Sequence, residues 1–587
     1  MQSASPSTTT FTRWEQVWLA LRSKISAVTF FWFLIICILV LPIILFLSCA
    51  FSPRLLDQGP QWFTFSSFKP VFSSLFLVSI IHSLILGIIA SIVAVAVALV
   101  VAWFVLRTNS PARKLWNGSV FALLLAPSYL IALGWERIFE RGGVLNIFHI
   151  DLPVVRNLLY GPVGIGMILA FKGIPFAYLV ISNAMRGLGE EFEQAVRVHG
   201  GNRREAFRIM STLLLPAIWS GVAIVFAESI SDFGVASQLS SPGRFSVATF
   251  SLYRAIESIP VLFPVCAAVS VVLLALVVLA LLAQSRALRG RSFRVLSGRT
   301  RPITRIQLST PGKFFSSAGI VFLLVITLGV PIFGAMSASM IRGLGSLLAN
   351  YSISFDNYIR VFKSPLLRNP LLFSAKCALI TATVAVVLAA VSSRMLISTK
   401  SGVSKKLLDF FLLAAVGLPG IVFAAGYIFA YNLPIAQKIG FHLYGTVALL
   451  VLAYIATALP TTTRSLVGNM NQFQESLSEA CRVHGSSAIK TWISVVLPLI
   501  ARPLLMAWLL TYCGTLLELP VSQLLFPPNH APLAVGIDRT LGNFDFGGGT
   551  AMEVMAILSA LIVVAIVLSL FEIFVPQGWK KLGKAHS

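Results

Sequence analysis

From Thr29 to Phe51 the chain reads TFFWFLIICILVLPIILFLSCAF, without one charged side chain, and apolar runs of this kind recur as far as residue 574. In hydrocarbon every backbone N–H and C=O must be satisfied inside the segment, so each run is a helix of about 20 residues crossing the bilayer. The apolar windows predict spans at 29–51, 82–106, 118–135, 161–182, 213–233 and 262–284. A second set is predicted at 316–338, 372–397, 408–431, 443–460, 495–516 and 551–574. The expected fold is an all-α polytopic membrane protein with about 12 transmembrane helices in two tandem six-helix units. The first run is too long for a signal-peptide core and no A-x-A site follows it, so it is expected to be retained as a span.

Charge orients these spans. The chain is 57% hydrophobic and 11% charged, with a formal net charge of +24. On a soluble protein that charge would suggest nucleic acid. Here the loops holding both termini, residues 107–117, both RVHG segments, the central linker and residues 394–406 carry 29 Lys and Arg, against 13 in the opposite loops. The positive-inside rule places the richer set in the cytoplasm. Membrane lipids are therefore the expected surroundings, and no nucleic acid is expected. The chain divides into a cytoplasmic N-terminal segment (1–28), a first half (29–284), a basic cytoplasmic linker (285–315), a second half (316–574) and a cytoplasmic tail (575–587).

The halves are copies. RVHG occurs at Arg197 to Gly200 and at Arg482 to Gly485, and SQL begins at Ser237 and at Ser522; both pairs lie 285 residues apart. PSYLIALGW from Pro127 parallels PGIVFAAGY from Pro419, with Gly134 and Gly426 at the same place in each. Tyr160-Gly161 and Tyr444-Gly445 open the fourth spans, and Pro175 and Pro460 lie near their ends. Two units in the same orientation predict a pseudo-two-fold axis along the membrane normal, with a pathway between the halves.

Around the tetrapeptide the chain reads EEFEQAVRVHGGNRREAFRIMSTLLLP and ESLSEACRVHGSSAIKTWISVVLP. Each copy is a polar, helix-permissive stretch, then a glycine, then an amphipathic stretch running to a Leu-Pro. A glycine supplies a backbone break that other residues adopt less readily, so two short helices are predicted to meet there on the cytoplasmic surface. Phe192, Val196, Leu477 and Cys481 would anchor such a helix in a partner's groove. The alternative is a helix lying passively in the headgroups. Two copies in register, each before the fifth span of its half, favour docking.

Ionisable residues in or beside the spans are Lys172, Glu228, Asp232, Lys376, Arg502 and Glu518. The cations can snorkel or pair locally; Glu228, Asp232 and Glu518 are candidates for a pathway or gate. The six cysteines are scattered singly and form no metal or redox motif. G-x-x-x-x-G-K-[ST], H-E-x-x-H and G-x-S-x-G are all absent, so no ATP site, resident metal or catalytic centre is expected.

SEACRVHG…VVLP resembles the cytoplasmic coupling motif of ABC importer permeases, in which Glu-Ala-Ala, three residues, Gly and a run ending Leu-Pro follow one another. The resemblance puts Glu479, Ala480, Gly485 and Pro498 at the motif positions. In the first half Ala195, Gly200 and Pro216 match, Gln194 stands where the family has Glu, and Glu193 lies one place early, which leaves the acid of that copy open. Gly200 to Pro216 is 16 residues and Gly485 to Pro498 is 13, which predicts about one extra helical turn in the first copy. The fused layout, SDFGVASQL from Ser231 and LELPVSQLL from Leu517 are most similar to ferric-iron-type permeases, relatives of thiamine, polyamine, sulfate and phosphonate permeases. The resemblance implies a bacterial cytoplasmic (inner) membrane location. It also implies two cytoplasmic ABC ATPase subunits that bind ATP and Mg, an extracytoplasmic solute-binding protein, and no cofactor or catalysis in this chain. A 12-helix secondary transporter would share the duplication, but RTNSPARKLWNGS after the second span lacks the charged G-x-x-x-D-[RK]-x-G-R signature. A membrane-embedded enzyme would need a catalytic constellation.

Overall fold

The computed structural model describes residues 28–56, 59–73, 75–188, 198, 200, 203–288, 305–342, 344, 352–397, 402–438, 440, 442–470, 481 and 483–574. Leaving short turns unlabelled, the first half contains α1 (Val28–Cys49), α2 (Leu75–Arg107), α3 (Arg113–Leu125), α4 (Ser128–Phe139) and α5 (Pro162–Gly187). It continues with α6 (Arg203–Ser231), α7 (Gly234–Gly243), α8 (Ala248–Glu257) and α9 (Phe263–Leu288). The second half repeats the series as α10 (Thr310–Met340), α11 (Pro365–Ile397), α12 (Val403–Val416), α13 (Gly420–Tyr431) and α14 (Val447–Met470). α15 (488–516), α16 (Pro520–Leu525), α17 (Leu533–Gly542) and α18 (Phe546–Phe574) complete it. Adding 285 to both ends of α6 and α8 gives both ends of α15 and α17.

Among the described residues, ten helices are long and apolar enough to cross a membrane. The third predicted span of each half departs from a straight rod: α3 and α4 meet at 100°, and α12 and α13 at 111°. Pro127 and Pro419 stand at the two bends with ψ 144. A proline has no N–H to give the preceding turn and drives the residue before it out of the α region, so Ala126 is extended at ψ 118. Counting apolar residues cannot distinguish a bent pair from a straight span.

Small residues set the helix packing. On α2 the buried positions Ser79, Ser83, Gly87, Ala90, Ala94, Ala98 and Ala102 form one stripe, while Ile85, Ile88 and Ile92 are exposed. In lipid the apolar face gains nothing by turning inward, so the stripe that permits close approach decides which face packs. α2 lies against α5 and α6 along it, and α11 lies likewise against α14 and α15.

The first helix of each half packs on the other half: α1 on α13, and α10 on α4. A Cβ on Gly426 would stand 3.0 Å from the Pro42 carbonyl oxygen, and one on Gly134 only 2.4 Å from that of Pro331. Both prolines lie two residues beyond a π-helical turn, Ile36–Val40 and Val325–Gly329. The widened turn relieves the clash of the ring with the preceding carbonyl. The Ile38 carbonyl, deprived of the Pro42 N–H, instead accepts the Tyr427 hydroxyl of the opposite half at 2.6 Å.

The basic linker is pinned at its far end. Ile306 N donates to Arg107 O at 2.8 Å and Asn109 N to Ile306 O at 3.2 Å, and α10 begins at Thr310, earlier than the apolar run. Residues 1–27, 289–304 and 575–587 lie outside the described residues.

Candidate functional site

α5, α6, α14 and α15 and the two bends enclose a cavity of about 530 Å³ between the halves. Lys172, Glu228, Asp232 and Glu518 line it, with hydroxyls of Ser128, Thr457, Thr461 and Thr462 and rings of Tyr129 and Phe176. The remaining predicted charges point elsewhere: Lys376 and Arg502 are exposed on the outer faces of α11 and α15, as snorkelling side chains are.

Asp232 and Glu518 also hold the local fold. Asp232 follows α6 and its Oδ1 accepts the Val235 N–H at 2.8 Å, capping α7. Glu518 follows α15, and its two oxygens accept the N–H groups of Val521 at 2.8 Å and Ser522 at 3.0 Å, capping α16. DFGV and ELPV are thus one device, in which a carboxylate meets the donors of a short helix's first turn. Both turns press on the bends. A Cβ on Gly234 would stand 2.4 Å from Ser128 Oγ, and one on Gly420 would stand 2.9 Å from Pro520 Cβ. The small residue lies on the acid's side in one half and on the bend's side in the other.

Lys172 on α5 reaches the first bend. Its ammonium donates to Leu124 O at 2.9 Å and Ala126 O at 2.8 Å. These carbonyls end α3, where the helical ladder leaves its last acceptors unpaired. The position 285 further on is Thr457, whose hydroxyl donates within its own helix, to Ala453 O and Tyr454 O. The two bends are therefore fastened differently.

At the other end of α6 and α15 stand the RVHG glycines. Gly200 has φ +79 and Gly485 φ +78, and among the described residues a Cβ on either meets nothing within 4 Å. Ser486 N donates to Cys481 O at 3.0 Å, the bond that closes a helix on a left-handed glycine. Val198 and Val483, 285 apart, are 82% and 85% exposed. Glu193, Gln194, Ala195, Glu479 and Ala480 lie outside the described residues, as do Phe192, Val196 and Leu477.

Two expectations for this region are corrected. The stretch after each glycine is no separate short helix: α6 runs unbroken from Arg203 to Ser231, and α15 runs through a π-helical turn at Trp492–Val496. The first copy also has no extra turn, since both rods keep the 285 register from glycine to SQL. The prolines merely sit at different depths. Pro216 lies inside α6, whereas Pro498 stands two residues after the π turn that accommodates it.

Other polar groupings escaped the sequence reading. On the side of the cavity away from RVHG, Gln523 Nε2 donates to Tyr253 Oη and to Asp538 Oδ2, both at 3.2 Å, and Gln238 also bonds Asp538. Burial pushes the Asp538 carboxyl above its ordinary range, and the two glutamine bonds oppose that shift. Gln238 with Gln523, and Tyr253 with Asp538, are 285 apart, so a register search beyond short words would have found this clasp. A second cluster ties α4 to α18. Arg137 meets Glu140 at 2.6 Å and Glu136 at 3.7 Å, and its guanidinium lies 4.7 Å from the Phe546 ring. Among the described residues no three His, Cys, Asp or Glu side chains converge to hold a metal ion.

Residues 94–289 match the family described as "Binding-protein-dependent transport system inner membrane component". The ferric transport system permease protein FbpB of Actinobacillus pleuropneumoniae is 25% identical over 427 residues, 70% of this chain and 59% of that one. The putative ferric transport system permease protein FbpB 1 of Haemophilus influenzae is 25% identical over 420 residues, 70% of this chain and 64% of that one. The sulfate transport system permease protein CysT of Salmonella typhimurium is 26% identical over 175 residues, 30% of this chain and 62% of that one. The chain thus matches less than two thirds of the length of these relatives. The match begins inside α2 and runs through α9, and α11 to α18 repeat that series of elements, so the chain is similar to the inner-membrane components of binding-protein-dependent transport systems over its first half and carries the same series again in its second.

Proposed function

We propose that this chain is the transmembrane permease subunit of an ATP-binding-cassette importer. It takes ferric iron from an extracytoplasmic binding protein and is driven by two separate cytoplasmic ATPase subunits that bind ATP and Mg. It lies in the bacterial inner membrane with both termini in the cytoplasm, and its halves follow the divisions at 29–284 and 316–574.

The observation that carries this reading is that each rod lies between a left-handed glycine and a cavity carboxylate: α6 (Arg203–Ser231) starts three residues after Gly200 and ends just before Asp232, and α15 (488–516) starts three residues after Gly485 and ends two before Glu518. A rise of about 1.5 Å per residue makes each rod roughly 43 Å long. A push on an elbow by an ATPase is delivered along one helix to the cavity wall. Glu193, Gln194, Ala195, Gly200 and Pro216 in the first copy, and Glu479, Ala480, Gly485 and Pro498 in the second, form the coupling region. Glu228, Asp232 and Glu518 line or gate the path. Alternating access then requires the ATPases to favour one arrangement of the halves over the other by about 5.5 kcal/mol for a near-complete swap of populations.

The cavity wall favours a cation. Three carboxylates face one ammonium, and the other polar groups on the wall are hydroxyls. Hard oxygen donors suit a hard cation, and the excess of carboxylates opposes sulfate or phosphonate. Thiamine and polyamines remain cationic alternatives. The complex reconstituted with its ATPase and binding protein is expected to hydrolyse ATP faster with binding protein loaded with Fe3+ than with unloaded protein. Stimulation by thiamine or spermidine instead, with none by Fe3+, moves the assignment to that relative.

A further inference from the structure

Among the described residues Lys172 is the one ammonium that lines the cavity, and it stands at the first bend. It bridges the Leu124 and Ala126 carbonyls at 2.9 and 2.8 Å, and its Nζ lies 5.8 Å from the centre of the Phe176 ring. Carbonyl oxygens, an aromatic face and the carboxylates Glu228 and Asp232 of the same wall are the surroundings a free cation would seek. The second half shows that fastening a bend does not require this charge. Its bend is slightly sharper, 111° against 100°, with an uncharged Thr457 at the equivalent position. A lysine at this depth is costly unless it answers a charge, and here it answers the acids.

Resting on the cation reading above, we infer that Lys172 is a tethered stand-in for the transported cation. It balances Glu228 and Asp232 while the cavity is empty and competes with the cation for them. The competition keeps the wall's affinity low enough for release. It also means that the emptied cavity is re-occupied by a charge that cannot leave, so other cations gain less by entering.

The test uses the complete permease–ATPase complex in nanodiscs with Tb3+ alone as the probe, read by luminescence sensitised through the tyrosine and tryptophan side chains. Lys172→Gln keeps a donor for the carbonyls of the bend and removes the charge; Lys172→Arg keeps the charge. Removing a competing charge at a partly solvated wall is expected to tighten Tb3+ binding by about tenfold in Lys172→Gln. The gain should vanish in Lys172→Gln with Glu228→Gln, and Lys172→Arg should bind like the parent. If the parent binds Tb3+ and Lys172→Gln binds it no more tightly, the stand-in role is refuted and the cation reading survives. If neither binds Tb3+, the cation reading fails and this inference fails with it. A thermal midpoint of Lys172→Gln equal to that of the parent separates either result from unfolding.

Discussion

Gly485 offers the sharpest test of the elbows. Its φ of +78 lies in the left-handed region, and among the described residues nothing stands within 4 Å of where a Cβ would be. A side chain there meets no described neighbour, so the backbone is where a substitution is expected to act. The left-handed conformation costs an L residue about 1–2 kcal/mol, and leaving it would break the Ser486 N–H bond to Cys481 O, worth about 1 kcal/mol. Either route shifts the elbow from its native form by roughly tenfold for Gly485→Ala. Gly485→Val, β-branched, should cost more, and Gly485→Asn, whose side chain tolerates the region, should cost least. The assay is retention of the ATPase by permease variants matched for membrane expression, together with uptake. The expected order is Gly, Asn, Ala, Val. Parental uptake by Gly485→Val would refute the coupling role. Equal losses in Asn and Ala would show that the surface around Gly485, rather than its backbone, matters to the partner.

Three further outcomes are expected. Cysteines placed in the 285–313 linker should react only with membrane-permeant reagents in intact cells, and labelling from outside by an impermeant reagent would invert the topology. Gly134→Ala should lower the thermal midpoint of the purified protein more than Gly426→Ala, because its Cβ meets the Pro331 carbonyl at 2.4 Å while the other meets the Pro42 carbonyl at 3.0 Å; overpacking of this kind costs about 1–3 kcal/mol. At equal expression Glu479→Gln should impair uptake more than Gln194→Ala, since a charge-assisted hydrogen bond is roughly twice as strong as a neutral one. The reverse order, or an essential Glu193, would place the acid of the first copy one residue earlier.

The duplication was legible because two short words, RVHG and SQL, kept one spacing, and the rods between them keep it as well. The Leu-Pro word misled for a physical reason. A proline marks where a helix must widen or lose a bond, and α6 and α15 absorb that defect at different depths without changing length. The bends at Pro127 and Pro419 were hidden because hydropathy is a sum along the chain and carries no direction. Lys172 was indistinguishable from Lys376 in sequence, as both are lone lysines in apolar runs. What separates them is the pair of carbonyls left by the bend, which exist only after α3 has ended. Half of the clasp was already legible, since Gln238 and Gln523 belong to the SQL words; Tyr253 and Asp538 share the 285 register but differ in residue type, so no repeated word marks them.

The exchange of first helices sets a timetable for synthesis. Tyr427 and the Ile38 carbonyl it satisfies are 389 residues apart, so a ribosome adding about 5–20 residues per second delivers the hydroxyl roughly 20–80 s after the carbonyl. During that interval α1 sits in the bilayer with an open acceptor and without α13 beside it. The nascent first half is therefore an unfinished object, and whatever shields α1 from other helices in the membrane decides how much of the chain matures.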